Sequence, residues 1–248
     1  MRAIVLSAGR GSRLGDLTRD RPKCLLEFAG RSLLDWQIAA LRGSGVTDII
    51  VVAGFNAKRV ARSVAGQQGV YILYNPFYGV ADNLASLWLA RDFMDRDFLV
   101  LNGDTLVSPE IVRKLLLEGD APINITVTRK LAYDADDMKV RLDGDRIAAV
   151  GKRLPAGQID AESIGLLSLR HQGTAHFRQA VENAMTVPSG LENWYLSVID
   201  TLAGQIRVAP VFIDGMPSAE VDYPADLAPA KALAESWSGR TAASAGTG

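Results

Sequence analysis

The segment LSAGRGSRLGDLTRDRPK (residues 6–23) combines three glycines with five basic residues. It follows a short apolar run at residues 3–6 that is typical of a strand. Glycines adopt positive φ angles and let backbone N–H groups approach an anion closely, while arginine and lysine add full positive charge. The segment therefore predicts a phosphate-binding loop at the carboxyl edge of a sheet, where open α/β folds bind their ligands.

Strand-like and helix-like segments alternate on either side of this loop. Residues 33–41, LLDWQIAAL, have helical spacing, and residues 48–52, DIIVV, form the continuous apolar run of a strand covered on both faces. Farther along, Asp143-Gly144-Asp145 separates two strand-like segments and predicts a hairpin. The predicted fold class is α/β, with a mixed, mostly parallel sheet flanked by helices.

Composition excludes several classes of protein. The 248 residues carry 27 Lys and Arg against 28 Asp and Glu, without the basic excess of a general nucleic-acid binder. No run approaches the ~20 apolar residues of a membrane span, and the N-terminus lacks the pattern of a signal peptide. Cys24 is the one cysteine, so no internal disulfide forms. We expect a cytoplasmic protein with neither nucleic-acid nor membrane partners.

Chain organisation is expected to be simple. Residues 1–235 are predicted to form a single domain, since strand and helix signals continue throughout and no repeat interrupts them. Residues 236–248 are predicted to be a flexible tail or an interdomain linker, because the end of the chain, SGRTAASAGTG, offers small residues and nothing large to bury. A linker would join a further C-terminal domain; an ordinary frayed terminus would have the same composition.

Two better-known glycine loops do not fit residues 6–23. The spacing is G-x-G-x-x-x-G rather than the dinucleotide fingerprint G-x-G-x-x-G. The second strand ends in residues 53–56, AGFN, with no acid to accept hydrogen bonds from a ribose. No Gly-Lys-Ser/Thr follows, so the loop is not a P-loop either. Glycines followed by arginines and then by Pro-Lys-Cys-Leu-Leu are nevertheless a much more specific signal than a glycine loop alone.

Acidic residues at two places in the sequence are candidates for binding a metal ion. Asp104 follows the strand-like run at residues 99–101 and is therefore expected at the same sheet edge as the loop. Strand alternation across Glu220-Val221-Asp222 places both of those acids on one face. Mg²⁺ prefers one or two carboxylates together with phosphate oxygens. A lone aspartate after a strand is otherwise a turn former or a helix cap.

Residues 6–41 resemble the signature of the nucleotidyltransferases that make sugar nucleotides and CDP-alcohols, and the similarity extends over residues 3–232. The resemblance implies a Rossmann-like nucleotidyltransferase fold, a loop that wraps the nucleoside triphosphate, and Mg²⁺ held by Asp104 and Asp222. It implies catalytic roles for Arg13, Lys23 and Lys152. The residues it places around CTP are Leu6, Ala8, Gly9, Gly11, Ser12, Arg13, Lys23, Asn83, Ser86 and Asp104.

The choice of CTP follows from residues 78–88, which resemble the N-x-x-S-L segment of the CTP-dependent branch, as found in bacterial phosphocholine cytidylyltransferases. Asn83 could instead be only a helix cap, and Ser86 only a surface residue. Lys139 and Lys152 also match lysines of that branch that serve the phosphates of substrate and nucleotide. Lysines on strands are otherwise solvated edge residues.

Of the features that the sequence predicts, the identity of the acceptor is the least well determined. Residues predicted to bind it are Tyr133, Lys139, Trp194, Tyr195, Ser197 and Glu220. Choline-type enzymes carry acids after the aromatic pair, where Leu196 and Ser197 stand here, so a small neutral acceptor is favoured. Cytidylyltransferases of phosphonate antibiotic pathways are similar, including one of fosfomycin-type biosynthesis fused to a phosphoenolpyruvate mutase.

The resulting hypothesis is an Mg²⁺-dependent cytidylyltransferase that transfers CMP from CTP to a 2-hydroxyethylphosphonate-like phosphonate or to a phosphomonoester, with release of pyrophosphate. Its acceptor is already ionised, so no general base is needed, in keeping with the lack of a convincing histidine or cysteine nucleophile. The alternatives are a phosphocholine cytidylyltransferase, a sugar-1-phosphate nucleotidylyltransferase and a CTP sensor without turnover.

Overall fold

The structure, a computed structural model, describes the backbone of residues 1–245 and the side chains of residues 1–239. The strands in this part of the chain are β1 (Arg2–Ser7), β2 (Glu27–Phe28), β3 (Arg31–Ser32), β4 (Asp48–Ala53), β5 (Val70–Tyr74), β6 (Phe98–Asn102), β7 (Thr105–Leu106), β8 (Ile123–Thr128), β9 (Lys139–Asp143), β10 (Arg146–Gly151), β11 (Ala161–Leu169), β12 (Val208–Phe212) and β13 (Ala219–Glu220). The helices are α1 (Leu33–Arg42), α2 (Ala57–Ser63), α3 (Asn83–Leu89), α4 (Pro109–Glu118), α5 (Gln172–Ala184), α6 (Tyr195–Ala203) and α7 (Leu227–Ala245).

Nine strands form one mixed sheet in which β10, β9, β11, β6, β1, β4 and β5 lie side by side, and β8 joins β11 to β12. The pairs β6–β1, β1–β4 and β4–β5 are parallel, as is β8–β12, whereas β11 runs antiparallel to its neighbours. Leu6 lies opposite Val52 and Asn102, so the carboxyl ends of β1, β4 and β6 meet at one edge. The predicted mixed, mostly parallel α/β sheet is confirmed.

Two apolar cores cover the two faces of this sheet. Successive strand residues point to opposite faces, so Ile50 and Val52 of β4 enter the core formed with α3, α5 and α6. Ile49 and Val51 enter the core formed with α1, α2 and α4. Burial on both faces explains why β4 is apolar without alternation, as its sequence predicted.

A third core packs the end of the described chain against the segment that follows the glycine loop. Trp237 is 7% exposed, and its ring lies edge-on to Trp36 of α1, with 5.8 Å between ring centroids. Helix α7 therefore continues past residue 235, and the packed part of the chain extends beyond the predicted boundary, because Trp237 supplies the apolar area that the small residues around it lack. Residues 246–248 of the predicted tail lie outside the described residues.

Among the helices that the structure describes, none combines the length and the apolar composition needed to cross a bilayer. The cytoplasmic location stays a prediction.

We expect Trp237→Ala to lower the free energy of unfolding by about 3 kcal/mol, since a buried indole would be replaced by a cavity. Trp237→Phe keeps most of the apolar contact with Trp36 and serves as the matched control, with a loss of less than half that of the alanine variant. Urea unfolding followed by circular dichroism measures both. Equal stability of Trp237→Ala and the unmodified protein would mean that α7 does not contribute to the core.

Candidate active site

Two adjoining compartments open at the carboxyl edge of β1 and β6. The first, of about 630 Å³, is lined by the start of the glycine loop, by residues 78–83 and by the end of β6. The second, of about 1180 Å³, is lined by residues 134–138, by the start of β11 and by residues 215–223. Asp82, Asn83, Asn102 and Asp104 line both compartments, so the two spaces meet at Asp104.

The glycine loop leaves β1 and folds back on itself above Lys23. Gly11 has a φ of 71°, and a Cβ at this position would lie 2.9 Å from Cβ of Lys23. The hydroxyl of Thr18 donates to the carbonyl oxygen of Gly11 at 2.7 Å and closes the loop. Glycine is needed at position 11 because it permits the left-handed backbone and the close approach to Lys23.

Lys23 is the centre of the ionic site. Its Nζ lies 2.9 Å from Oδ2 of Asp104 and 2.5 Å from Oδ1 of Asp222. Burial by itself would lower the pKa of Lys23, but the two carboxylates outweigh it and raise that pKa above its ordinary value. The ammonium is therefore charged, and it bridges two acids that are 118 residues apart in the sequence (222 − 104).

Main-chain contacts fix Asp104 at this point. A Cβ on Gly103 would lie 2.2 Å from the carbonyl oxygen of Leu6, so the chain passes β1 at a distance that only glycine allows. The buried side-chain amide of Gln37 donates to the carbonyl oxygens of Asn102 and Thr105, at 2.7 and 2.8 Å. Helix α1 thus clamps the two residues around Gly103 and Asp104.

Glu220 and Asp222 reach the same place from the other side. β13 pairs with β7, which brings Glu220 opposite Thr105, and Asp226 accepts from the backbone N–H of Asp222 at 2.8 Å. Carboxylate oxygens of Asp104, Glu220 and Asp222 all lie within 4.8 Å of one another. Although Glu220 is exposed, partial loss of hydration in the cleft and repulsion from the two aspartates raise the pKa of Glu220 to about 8.

This donor set fits a divalent cation. Mg²⁺ selects hard oxygen ligands, and three converging carboxylates with a crowded negative charge need a cation among them. The ammonium of Lys23 provides a positive charge at this point. Asp104 and Asp222, the two predicted ligands, are thus brought together, and Glu220 joins them although it was predicted to bind the acceptor.

The residues predicted around CTP divide between the two compartments. Eight of them line the first compartment: Leu6, Ala8, Gly9, Gly11, Lys23, Asn83, Ser86 and Asp104. Arg13 lines the second, where its Nη1 lies 3.0 Å from Oδ2 of Asp222 and its guanidinium lies over the ring of Tyr223. Ser12 is exposed and lines neither compartment, because the loop turns outward there.

The structure also bears on whether Asn83 is only a helix cap and Ser86 only a surface residue. Asp82, not Asn83, is the N-cap of α3 and accepts from the backbone N–H of Asn83 at 2.7 Å. Oδ1 of Asn83 accepts instead from the backbone N–H of Tyr195 at 2.9 Å. Ser86 is buried, and its hydroxyl accepts from the amide of Asn75 at 3.0 Å, so Ser86 is not a surface residue.

Three of the residues predicted to bind the acceptor line the second compartment: Trp194, Tyr195 and Glu220. Nζ of Lys152 lies 4.3 Å from the centroid of the Trp194 ring and 3.4 Å from a carboxylate oxygen of Asp136. The hydroxyl of Tyr195 donates to Oδ1 of Asn102 at 3.1 Å. Burial, with the nearby charges of Asp104 and Glu220, raises the pKa of Tyr195, so its phenol stays a neutral donor.

The other three lie elsewhere, for reasons that the sequence does not show. Lys139 is buried, and its ammonium donates to the backbone carbonyls of Asp134, Ala135 and Asp137 and, at 3.0 Å, to that of Lys152. It therefore organises the loop around the cleft. The hydroxyl of Tyr133 accepts a hydrogen bond from the backbone N–H of Lys130 at 3.4 Å, within its own loop. Ser197 is exposed and donates to the carbonyl oxygen of Trp194 at 2.7 Å, away from the cleft.

No nucleophile emerges from the residues near the site. Cys24 lines the first compartment, but burial raises the pKa of its thiol to about 12, so the thiol stays protonated. His171 and His176 are exposed and line neither compartment. The chemistry available here is therefore charge neutralisation and positioning.

Sequence reasoning missed most of the second compartment. Nine carboxylates line it, of Asp82, Asp104, Asp134, Asp136, Asp137, Glu162, Glu220, Asp222 and Asp226. Only three cations do so, those of Arg13, Lys130 and Lys152. One sequence signal does point to this compartment. Glu162 is an acid in the largely apolar strand β11, and a charge in such a strand is expected to be paired or functional.

The fold and this ionic site together define a nucleotidyltransferase, an enzyme that transfers a nucleotidyl group from a nucleoside triphosphate. Residues 3–134 match the model of the MobA-like NTP transferase domain. The chain belongs to this family, and the resemblance drawn from residues 6–41 is confirmed.

Relatives with assigned activities are similar over different lengths. The chain is 36% identical over 166 residues to the CMP-5'-(3-aminopropyl)phosphonate synthase of Streptomyces rubellomurinus, covering 64% of this chain and 26% of that protein. It is 27% identical to the CTP:phosphoglutamine cytidylyltransferase of Campylobacter jejuni, covering 92% and 98% of the two chains. The structure of the inositol-1-phosphate CTP transferase from T. maritima superposes with a TM-score of 0.80 at 21% identity, over 94% of each chain, and shows the shared fold.

We expect Mn²⁺, as a paramagnetic substitute for Mg²⁺, to bind the three carboxylates in competition with Lys23. Asp222→Asn should weaken Mn²⁺ binding about 10-fold or more, since it removes a ligand charge. Lys23→Met should instead tighten binding in the absence of nucleotide, because the ammonium no longer competes. Electron paramagnetic resonance of free Mn²⁺ measures both affinities.

The matched control for this experiment is Asp16→Asn, which removes an acid of the same loop that lines neither compartment. Its Mn²⁺ affinity should equal that of the unmodified protein. Weaker binding by Lys23→Met would show that Lys23 supports the cation site rather than competing for it.

Proposed function

We propose that the protein is a cytidylyltransferase that transfers CMP from CTP to an oxygen of a small phosphonate or phosphomonoester. The observation that carries the proposal is the meeting of two compartments at Asp104, beside the ammonium of Lys23. One compartment accommodates a nucleotide and the other an acceptor, and the junction holds the charges that a phosphoryl centre requires.

The first compartment favours a nucleotide by its shape and its lining. The glycine loop presents backbone N–H groups and the ammonium of Lys23 at one side, where they can contact phosphates. Asn83, Ser86 and the segment 78–82 line the other side and can contact a base and ribose. CTP is favoured over other triphosphates because the N-x-x-S-L segment is present and because a relative that is similar over 92% of the chain is named a CTP:phosphoglutamine cytidylyltransferase.

Transfer needs one bond to form and one to break. An acceptor oxygen attacks the α-phosphorus of CTP, and the bond from that phosphorus to the bridging oxygen breaks, so that pyrophosphate leaves. Lys23 and Arg13 can neutralise the charge of the triphosphate, and Lys152 can orient the acceptor anion from the second compartment. A phosphonate or phosphate oxygen is already ionised, so no general base is required.

Mg²⁺, when bound by Asp104 and Asp222, with Glu220 beside them, would neutralise charge on the donor phosphates and the acceptor oxygen. The residues of this chain hold the cation and the two substrates in place. With a cation at these carboxylates, the ammonium of Lys23 would be available to donate hydrogen bonds to phosphate oxygens.

The sequence favoured a 2-hydroxyethylphosphonate-like acceptor because Leu196 and Ser197 replace acids. These two positions contribute only a small part of the lining of the second compartment. Leu196 lines it and Ser197 does not, while other elements contribute Asp137, Glu162 and Glu220. The replacement of acids at residues 196–197 therefore does not make the acceptor compartment neutral.

A fused C-terminal domain also remains a prediction.

We expect the protein to release pyrophosphate from CTP in the presence of Mg²⁺ and a small phosphonate. Lys23→Ala and Asp104→Asn should each lower kcat/KM by about 100-fold or more, because each removes charge stabilisation at the reacting phosphorus. A coupled pyrophosphate assay measures turnover, and UTP or ATP in place of CTP tests the choice of base.

Arg19→Ala is the matched control, since Arg19 lies in the same loop, pairs with Asp16 and lines neither compartment. It should keep full turnover. Equal turnover in Lys23→Ala and the unmodified protein would refute the assignment of the site, and binding of CTP without pyrophosphate release with any acceptor would leave a sensor instead of an enzyme.

A further inference from the structure

The second compartment holds more negative charge than the proposed reaction uses. Asp104, Glu220 and Asp222 surround Lys23, and Asp136 lies near both Arg13 and Lys152. These pairings account for the acids around the junction and for two of the three cations. The remaining acids that are paired with a cation form a separate group, which we call the Glu162 cluster: Glu162, Asp137 and Lys130.

Glu162 is an unusual residue for its position. It lies near the start of β11, where it pairs with Lys139 of β9 and Thr128 of β8, and it is 7% exposed. Glu162 is nevertheless one of the residues that line the second compartment. Burial raises the pKa of Glu162 to about 7 although Lys130 acts in the opposite direction. A carboxylate held in this way is costly unless a cation stays beside it.

Lys130 supplies that cation only in part. Its ammonium makes ion pairs with Glu162 and, at 3.3 Å, with Asp137, so one positive charge serves two carboxylates. The Lys130 side chain is 39% exposed and comes from the loop after β8, whereas that of Glu162 is 9% exposed. The ammonium can therefore move into solvent while the carboxylate cannot, which leaves room for another ammonium group at Glu162.

We propose that the acceptor carries a primary ammonium group, which displaces Lys130 and binds to Glu162 and Asp137. The inference rests on the proposed function, since it names the class of acceptor that the second compartment takes. The acceptor is then a short zwitterion, an aminoalkylphosphonate or the phosphate ester of an amino alcohol, with its anionic group toward Lys152 and its ammonium at the Glu162 cluster.

The aromatic residues favour a primary over a quaternary ammonium. A quaternary group cannot donate hydrogen bonds and is bound mainly by free aromatic faces. Here a face of Trp194 is covered by Lys152 at 4.3 Å, and a face of Tyr223 is covered by the guanidinium of Arg13 at 5.2 Å. A primary ammonium instead offers three donors, which match the carboxylates of Glu162 and Asp137.

The experiment compares matched acceptors with CTP and Mg²⁺: 2-aminoethylphosphonate, 2-hydroxyethylphosphonate and phosphocholine. The unmodified protein should prefer the first. Glu162→Gln, which keeps the shape and removes the charge, should lower the ratio of kcat/KM for the amine to that for the alcohol by about 10- to 100-fold. A merely structural role of Glu162 would lower both values alike and leave the ratio unchanged.

Asp137→Asn provides a second variant should Glu162→Gln fold poorly, and it should lower the same ratio. Glu118→Gln, at an exposed glutamate at the end of α4, is the control for loss of one negative charge and should leave the ratio unchanged.

The outcomes separate the two proposals. Pyrophosphate release from CTP with none of the three acceptors would contradict the proposed function itself. Release with equal efficiency for amine and alcohol, or an unchanged ratio in both Glu162→Gln and Asp137→Asn, would overturn the ammonium site while the cytidylyltransferase stands. Preference for phosphocholine would overturn the choice of a primary ammonium.

Discussion

The ion pairs of Lys23 with Asp104 and Asp222 are the interaction on which the arrangement of this molecule depends. They join the glycine loop, the end of β6 and the segment after β13, three parts of the chain that are far apart in sequence. Both compartments open beside this point. A largely buried ammonium and its two carboxylates must stay together, because separating any one of them would leave an unpaired charge in the interior.

The same physical constraint appears again at Glu162. In each place a carboxylate in a poorly solvated position is paired with a lysine from a neighbouring loop, and in each place the proposed ligand is a cation: Mg²⁺ at Asp104 and Asp222, an ammonium group at Glu162. In both places the carboxylates are paired with lysine side chains of the chain itself. This pairing allows a strongly acidic cleft to persist in a protein whose net charge is −1.

Much of the fold can be predicted from local sequence pattern, and the elements that were not predicted share one property: their sequences carry no local signal of their packing. The long strands and helices were predicted because burial leaves a recognisable pattern in their sequences, as in the continuous apolar run of β4. The two-residue strand β7 was not predicted, although its pairing with β13 places Glu220 beside Asp104, because two residues carry no period. Trp237 was assigned to a tail because the partner that buries it, Trp36, lies 201 residues earlier (237 − 36).

The sequence by itself determined the class of the site. The signature consists of glycines with Arg13 and Lys23 after a first strand, together with acids at residues 104 and 222, and it can be recognised from the sequence without a structure. Only the tertiary structure decided which side chains face the cleft. Lys139 turned out to organise a loop, Ser197 to lie away from the cleft, and Glu162 to line the second compartment. The reason is physical. A glycine loop is built from residues that are neighbours in the sequence, so its pattern can be read locally. The wall of a cleft is assembled from distant strands and loops, and tertiary packing decides which of their side chains point into the cleft.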